Sequence, residues 1–274
     1  MKKFLDNIKS NIRQVLEIIL LITITTAPIL VDLRKLFKDY LTSNFLTPDN
    51  FIWYTAIAHG KYMASVVLFF FTLWLIRKFN SDYVMNRRSV YHDYHYLWYW
   101  FCAKVLGIKR CNLILVPIYM QFELVTRGTF EEYPLDDDDY PIIDGEPECR
   151  VTKKNNTVNY NEINIILEDT YTIKDYQIPE SKKKLFTLRI SRNDGNSNGR
   201  HFSQKFIETT INAVRQFKRV SIANVYATTN PKNTLHIAKR VFALGDRGNI
   251  EHLYVFQQEK DGQRFFEPTG HKIY

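Results

Sequence analysis

Two long apolar runs fall within the first 80 residues and limit what the chain can fold into more than anything after them. The first covers residues 15–31 (VLEIILLITITTAPILV), with Arg13 before it and Asp32, Arg34 and Lys35 after it. At 1.5 Å per residue it spans roughly 26 Å as a helix, the low end of what a bilayer core requires. The second covers residues 51–76 and is densest over 63–76 (MASVVLFFFTLWLI). His59 and Lys61 interrupt its first half, which either lies at the interface or lets Lys61 snorkel toward it. Trp53, Tyr54 and Trp74 suit the interfacial belts. A signal peptide would also begin with basic residues and an apolar core. Here the run ends ILVDLRKLF, with no small-residue cleavage pattern, and a second apolar helix follows, so a retained hairpin within residues 1–80 is expected.

The flanking charges bear on orientation. Lys2, Lys3, Lys9 and Arg13 precede the first run, and Arg77, Lys78, Arg87 and Arg88 follow the second. The connection carries Arg34, Lys35 and Lys38. This mild excess places both termini in the cytoplasm. Glu17 is the one acid in the first run; it either reaches the headgroups or serves as a polar contact or pore-lining group once hairpins associate, with Lys61 as the other candidate. Two helices cannot enclose water by themselves, so any pore implies a homo-oligomer.

After residue 80 the composition becomes that of a water-soluble domain, which is why the mean hydropathy is only −0.28. Cys102, Cys111 and Cys149 are odd in number and lack metal-ligand spacing, which points to reduced thiols in a reducing compartment. Residues 81–107 read as a linker and juxtamembrane helix, helical over 89–107, with Leu97, Trp100, Phe101, Lys104 and Val105 at core-facing spacing. A soluble domain over 108–274 follows. Residues 111–125 read as one or two strands broken by Pro117, and 127–162 as a solvated acidic loop whose Asp136–Asp139 run cannot all face one cation.

Strands are then expected at 162–168, 185–191, 219–226 and 252–257, with helices at 202–217 and 231–244. Helices alternating with short apolar strands predict a Rossmann-like α/β unit with a largely parallel sheet. Ligands of such sheets bind beyond the carboxyl ends of the strands, where the 191–201 and 227–232 loops fall. Their chemistry suits a phosphorylated, base-bearing ligand. Arg192, Arg200 and Lys232 can meet phosphate charge. Ser191, Asn193, Thr228, Thr229 and Asn230 can bond base edges or ribose hydroxyls, and Tyr119 and Tyr226 offer stacking faces. Thr229 or Asn230 before Pro231 is equally good helix-start chemistry.

No phosphate-binding Gly-x-x-x-x-Gly-Lys-Ser/Thr loop, His-Glu-x-x-His or Gly-x-Ser-x-Gly motif occurs. The His92-Asp93 pair lacks further ligands at fitting positions. The chain therefore reads as a non-enzyme with no metal and no cofactor.

The C-terminal third, NVYATTNPKNTLHIAKRVFALGDRGNIEHLYVFQQEKDGQRFFEP, resembles the SAVED family, the cyclic-oligonucleotide sensor domains of bacterial CBASS antiphage systems. The likeness rests on a strand ending in a small-residue loop (225–229), a helix closing on Leu244-Gly245, a Tyr-containing strand (253–256) and the 265–268 finish, and covers roughly residues 185–270. The resemblance implies a transmembrane hairpin joined to a cytoplasmic CARF-like, SAVED-like sensor in the bacterial inner membrane. It further implies that a cyclic oligonucleotide drives assembly and that the membrane segments then disrupt the bilayer. A STING-like membrane-tethered sensor and a membrane-bound nucleotide-processing enzyme are the alternatives.

Charge supports the lipid bilayer as a partner. Residues 1–88 hold 12 Lys and Arg against 6 Asp and Glu, or +6, which leaves +2 of the total +8 for the rest. The basic excess is thus directed at an anionic leaflet, and no long nucleic acid is expected.

Overall fold

The computed structural model describes residues 11–30, 48–86, 90–136, 138–143, 148–155, 161–192, 200–217, 219–243, 249–259 and 262–274, with side chains of the second helix from residue 59. The chain forms two units, Met1–Tyr83 with Phe101–Lys109, and Val84–Trp100 with Arg110–Tyr274.

In the first unit, helix α1 (Ile12–Leu30) packs on helix α2 (Pro48–Asn80). Arg13 at the start of α1 bonds the Phe79 carbonyl and the Asn80 side chain at the end of α2, so the pair is antiparallel. α1 and the His59–Asn80 part of α2 are long and apolar enough to cross a membrane. Leu16, Ile19, Leu20, Val66, Val67, Phe70 and Trp74 are exposed, as surfaces facing lipid would be. The hydroxyls of Thr23 and Thr26 donate back to the Ile19 and Ile22 carbonyls, which satisfies them without water. Trp53 and Tyr54 lie outside the described side chains.

Strand β1 (Val84–Met85) opens the second unit, helix α3 (Tyr96–Lys104) begins in it and passes at Phe101 into the first, and strand β2 (Arg110–Cys111) returns to the second and pairs parallel with β1. The helix expected over 89–107 is shorter because the chain ahead of it bonds elsewhere: the His92 N–H donates to the Leu115 carbonyl (2.8 Å). Its inward face also differs. Leu97 and Trp100 are exposed, while Tyr99, Cys102 and Leu106 are buried. Tyr99 can be buried because its hydroxyl donates to the His92 carbonyl (3.2 Å).

The strands expected over 111–125 are not found beyond Cys111; helix α4 (Ile118–Thr126) occupies that place. Met120, Phe122 and Leu124 alternate with Gln121 and Glu123 as strand residues would, but Gln121 is buried with them, its amide donating to the Val116 carbonyl (2.8 Å), so the sequence period does not match the covered faces. Pro117 precedes the helix and cannot continue a ladder.

The main sheet contains β3 (Arg150–Lys154), β4 (Glu162–Glu168), β5 (Phe186–Ser191), β6 (Val220–Ala227), β7 (Ile250–Phe256) and β8 (His271–Lys272), in the order β3-β5-β4-β6-β7-β8. The inner four strands are parallel, and β3 and β8 are antiparallel edges. β3 lies inside the stretch read as a loop; its RVTKK sequence is exposed throughout and has no apolar side to betray it. Helix α5 (Gln204–Arg215) connects β5 to β6, and helix α6 (Pro231–Ile237) with a π-turn over Ala238–Phe242 connects β6 to β7.

Both helix starts are set locally. The Ser203 hydroxyl accepts from the Phe206 N–H (3.1 Å), and Asn230 Oδ1 accepts from the Asn233 N–H (2.9 Å) ahead of Pro231 at the first turn. Phe206, Ile207, Thr210, Ile211 and Val214 form the buried stripe of α5. The face of the sheet away from α5 holds an apolar cluster of Ile166, Ile173, Ile178, Tyr226, Phe256 and Phe266.

Candidate functional site

The order of the inner strands reverses beside β4: β5 lies on one side of it, and β6 and β7 lie on the other. Crevices at such reversals, beyond the carboxyl ends of the strands, are the usual ligand positions of parallel sheets. Here that crevice is stitched by the protein itself. The Thr228 N–H donates to the Leu167 carbonyl (3.0 Å), the Thr170 N–H to the Thr228 carbonyl (3.1 Å), and the Thr228 hydroxyl to the Tyr171 carbonyl (2.7 Å).

Asp169, one residue past the end of β4, stands at its centre. Its Oδ2 accepts from the Asn230 N–H (3.0 Å), Asn230 Nδ2 (3.0 Å) and Asn233 Nδ2 (2.9 Å). Its Oδ1 lies 3.0 Å from Arg192 Nη1, and the two side chains are 0% and 2% exposed. Burial pushes the Asp169 carboxyl above its usual value, against the pull of Arg192 and the amide donors. Arg192 Nη1 also lies 2.9 Å from His201 Nε2. A guanidinium only donates, so this ring nitrogen accepts. The His201 carbonyl takes bonds from Asn230 Nδ2 (2.8 Å) and Asn233 Nδ2 (3.2 Å). The two loops that the sequence singles out therefore meet, through Arg192 and His201 of one and Asn230 of the other.

The individual expectations fare differently. Arg192 is turned inward onto Asp169, because a buried guanidinium needs a counter-charge. Ser191 donates its hydroxyl to Glu168, and Thr229 and Thr234 share a hydroxyl bond (2.6 Å). Asn230 is spent as the α6 cap and on Asp169. Lys232 is half-buried, with Nζ 5.0 Å from the Phe202 ring centre. Arg200 is exposed, and Asn193 lies outside the described residues.

Tyr226 offers no stacking face. It is 0% exposed, stacked on Phe256 at 4.6 Å, with Phe266 edge-on at 5.1 Å. A tyrosine inside an alternating strand takes the face its register gives it, here the covered one. Tyr119 lies on α4, its ring 3.6 Å from that of His271 and its hydroxyl donating to Asp93 (3.3 Å). Burial, with Asp93 adding to it, holds that hydroxyl well above its ordinary titration range. Sequence reading missed Asp169, His201 and Asn233. The signal available was an acid pair, Glu168-Asp169, directly after the apolar Ile165-Ile166-Leu167.

In the hairpin unit Glu17 is met from within. It accepts from Arg13 Nε (3.0 Å) and Asn80 Nδ2 (2.8 Å), and Arg13 stacks over the Tyr83 ring at 4.1 Å. Asn80 Nδ2 also donates to the Leu106 carbonyl (3.0 Å), and Arg77 Nη1 to the Lys104 carbonyl (2.8 Å), so the end of α2 caps the end of α3. Lys61 is half-buried, with Nζ 5.0 Å from the Tyr62 ring centre.

The family model of the SMODS- and Ubiquitin system-associated 2TM effector domain matches residues 1–274, the whole sequence. The chain belongs to this family. α1 and the His59–Asn80 part of α2 supply the two transmembrane helices in the effector family's description. The kinship expected from the sequence, a transmembrane effector of CBASS type, is borne out by that match. No curated protein matches the effector in sequence at a significant level. Two solved structures of the Acinetobacter baumannii Cap4 SAVED/CARF-domain containing receptor resemble it. The one with the cyclic trinucleotide 2'3'3'-cAAA has a TM-score of 0.42 at 11% identity, and the one with 3'3'3'-cAAA a TM-score of 0.43 at 10%. Each match covers 63% of the effector and 40% of the receptor chain, so the effector spans well under half the receptor's length.

Proposed function

We propose that this effector senses a cyclic oligonucleotide through a Rossmann-like, CARF-like unit held in the cytoplasm and answers by assembling and disrupting the inner membrane. The reading is carried by one combination: membership of a two-transmembrane effector family and, on the same chain, two loops brought together at the carboxyl ends of parallel strands. Lys232 and Arg200 are the cations of those loops nearest solvent, whereas Ser191, Thr228, Thr229 and Asn230 shape the loops through the bonds they make within the protein. Ligand arrival raises the local concentration of hairpins by joining sensors, and the hairpins then associate. In that assembly Lys61 is the polar group offered to a water path, while Glu17 holds the hairpin ends together. The effector turns over nothing, in keeping with the absence of catalytic motifs from its sequence.

The test uses the full chain in anionic liposomes loaded with dye. Cyclic di-, tri- and tetranucleotides are added singly, beginning with 2'3'3'-cAAA and 3'3'3'-cAAA. One member is expected to bind, to enlarge the assembly and to release dye. Silence across the panel overturns the proposal, and consumption of the ligand overturns its non-enzymatic part. Lys232→Glu is expected to weaken binding by about tenfold, the worth of one charge-assisted hydrogen bond.

A further inference from the structure

Parallel sheets are ordinarily covered on both faces. α5 packs against β5 on one face, and just past its end Phe217 stands edge-on to Phe186 (5.7 Å). On the other face, over β3, β5 and β4, the described cover is two short 3-10 turns, Asp175–Gln177 and Glu180–Lys182. Beneath them lies a cleft of about 750 Å³. This volume falls within the usual range of small-molecule sites.

The floor of the cleft is polar where a central sheet is normally aliphatic. Asn164 sits opposite Thr187, Ile166 opposite Arg189 and Glu168 opposite Ser191, so polar side chains line up across β4 and β5. Asn164 is fully buried and donates to the Lys182 carbonyl (2.8 Å) and the Thr187 hydroxyl (3.3 Å). Burying such groups costs free energy unless they serve a bonded arrangement. The walls carry Lys154, Lys174, Lys183 and Arg189 against Glu168 and Asp175, and Glu180 pairs with Lys183, which leaves an excess of one positive charge. Arg189 is held between Glu168 and Asp175, with Nη1 also donating to the Ile173 carbonyl, so its guanidinium is part of the cleft's fixed structure.

The rim is aromatic. Tyr176 is 58% exposed and stands edge-on to Phe265 at 5.9 Å; Phe265 and Tyr171 are also exposed, and Arg264 lies 4.3 Å from the Tyr171 ring centre. Exposed rings beside an excess of cations are the combination that single nucleotides require, one for the base and the other for the phosphate.

We propose that this cleft is a nucleotide site, in which Tyr176 stacks a base and Lys174 and Lys183 meet its phosphate. The inference rests on the reading of the effector as a nucleotide sensor and places one nucleotide unit of the ligand away from the loops at the strand ends. Binding of AMP, of 3'3'3'-cAAA and of inorganic pyrophosphate to the full chain in detergent is measured by titration calorimetry.

Lys174 and Tyr176 are exposed, so their substitution leaves the fold in place. Lys174→Glu is expected to weaken both nucleotides by about tenfold, and Tyr176→Ala by about tenfold with no effect on pyrophosphate. Arg219→Glu makes the same charge change at the amino end of β6 and is expected to bind as the parent does. If 3'3'3'-cAAA binds both cleft variants at parental affinity, the cleft assignment falls and the sensor reading stands. If AMP binds in a manner that depends on Lys174 and Tyr176 while no cyclic oligonucleotide binds, the sensor reading falls and the cleft stands. If the parent binds none of the three probes, the cleft assignment is overturned outright.

Discussion

Asp169 is the residue on which the crevice at the strand ends depends. One carboxylate oxygen gathers three N–H donors and the other faces a guanidinium, all out of contact with water. Removing one partner of such a pair leaves the other charge buried without compensation. Asp169→Asn is therefore expected to cost about 3–5 kcal/mol in urea unfolding of the full chain. Arg192→Glu would place two carboxylates in the same dry pocket and is no probe of ligand affinity; Lys232→Glu is the usable one. Tyr226 presents the opposite case. Its buried hydroxyl has no hydrogen-bond partner among the described residues, so Tyr226→Phe removes an unmet polar group. That change is expected to be neutral or to stabilise by about 1 kcal/mol in the same measurement.

At the scale of elements, the junction where α2 caps α3 is governed by one glycine. Gly107 has a φ of +75°, and a Cβ there would meet Arg77 Cγ at 2.8 Å. Gly107→Ala thus forces a side chain into the left-handed region and moves the arginine that holds the Lys104 carbonyl. A loss of about 1–2 kcal/mol from the backbone alone is expected, read as a lower thermal midpoint of the purified chain. α4 illustrates why some elements were hidden. Its sequence alternates apolar residues with Gln121 and Glu123 as a strand would, so periodicity pointed to the wrong element. α5, with one buried stripe and a serine cap, was legible because only one face is covered. β3 was invisible for the reverse reason, since an exposed edge strand needs no apolar side and is defined only by its ladder to β5.

For the molecule as a whole, the charge distribution predicts how the effector meets lipid. The +6 carried by residues 1–88 flanks the apolar helices, and only +2 remains elsewhere. Each basic residue near an anionic leaflet contributes on the order of 1 kcal/mol, within a Debye length that salt shortens. The full chain is expected to co-float with anionic vesicles more completely than with zwitterionic ones, and the difference is expected to shrink between 0.1 and 0.5 M salt by about the ratio of Debye lengths. Equal flotation at both salt concentrations would assign attachment to the apolar helices alone.

The two membrane helices, the alternation of strands and helices after residue 185 and the place of the two loops at the strand ends were determined by sequence, because each depends on local composition, capping or the short range of the chain. The tertiary structure decided what those loops do when they meet. Arg192 and Asp169 are separated by 23 residues and become partners only when β4 and β5 lie side by side. The same pairing lays Asn164 against Thr187 and opens a cleft with a polar floor on a face whose described cover is two short 3-10 turns, a juxtaposition that no linear spacing encodes. Register across strands converts distant residues into neighbours, and that conversion is what a sequence read along its length does not contain.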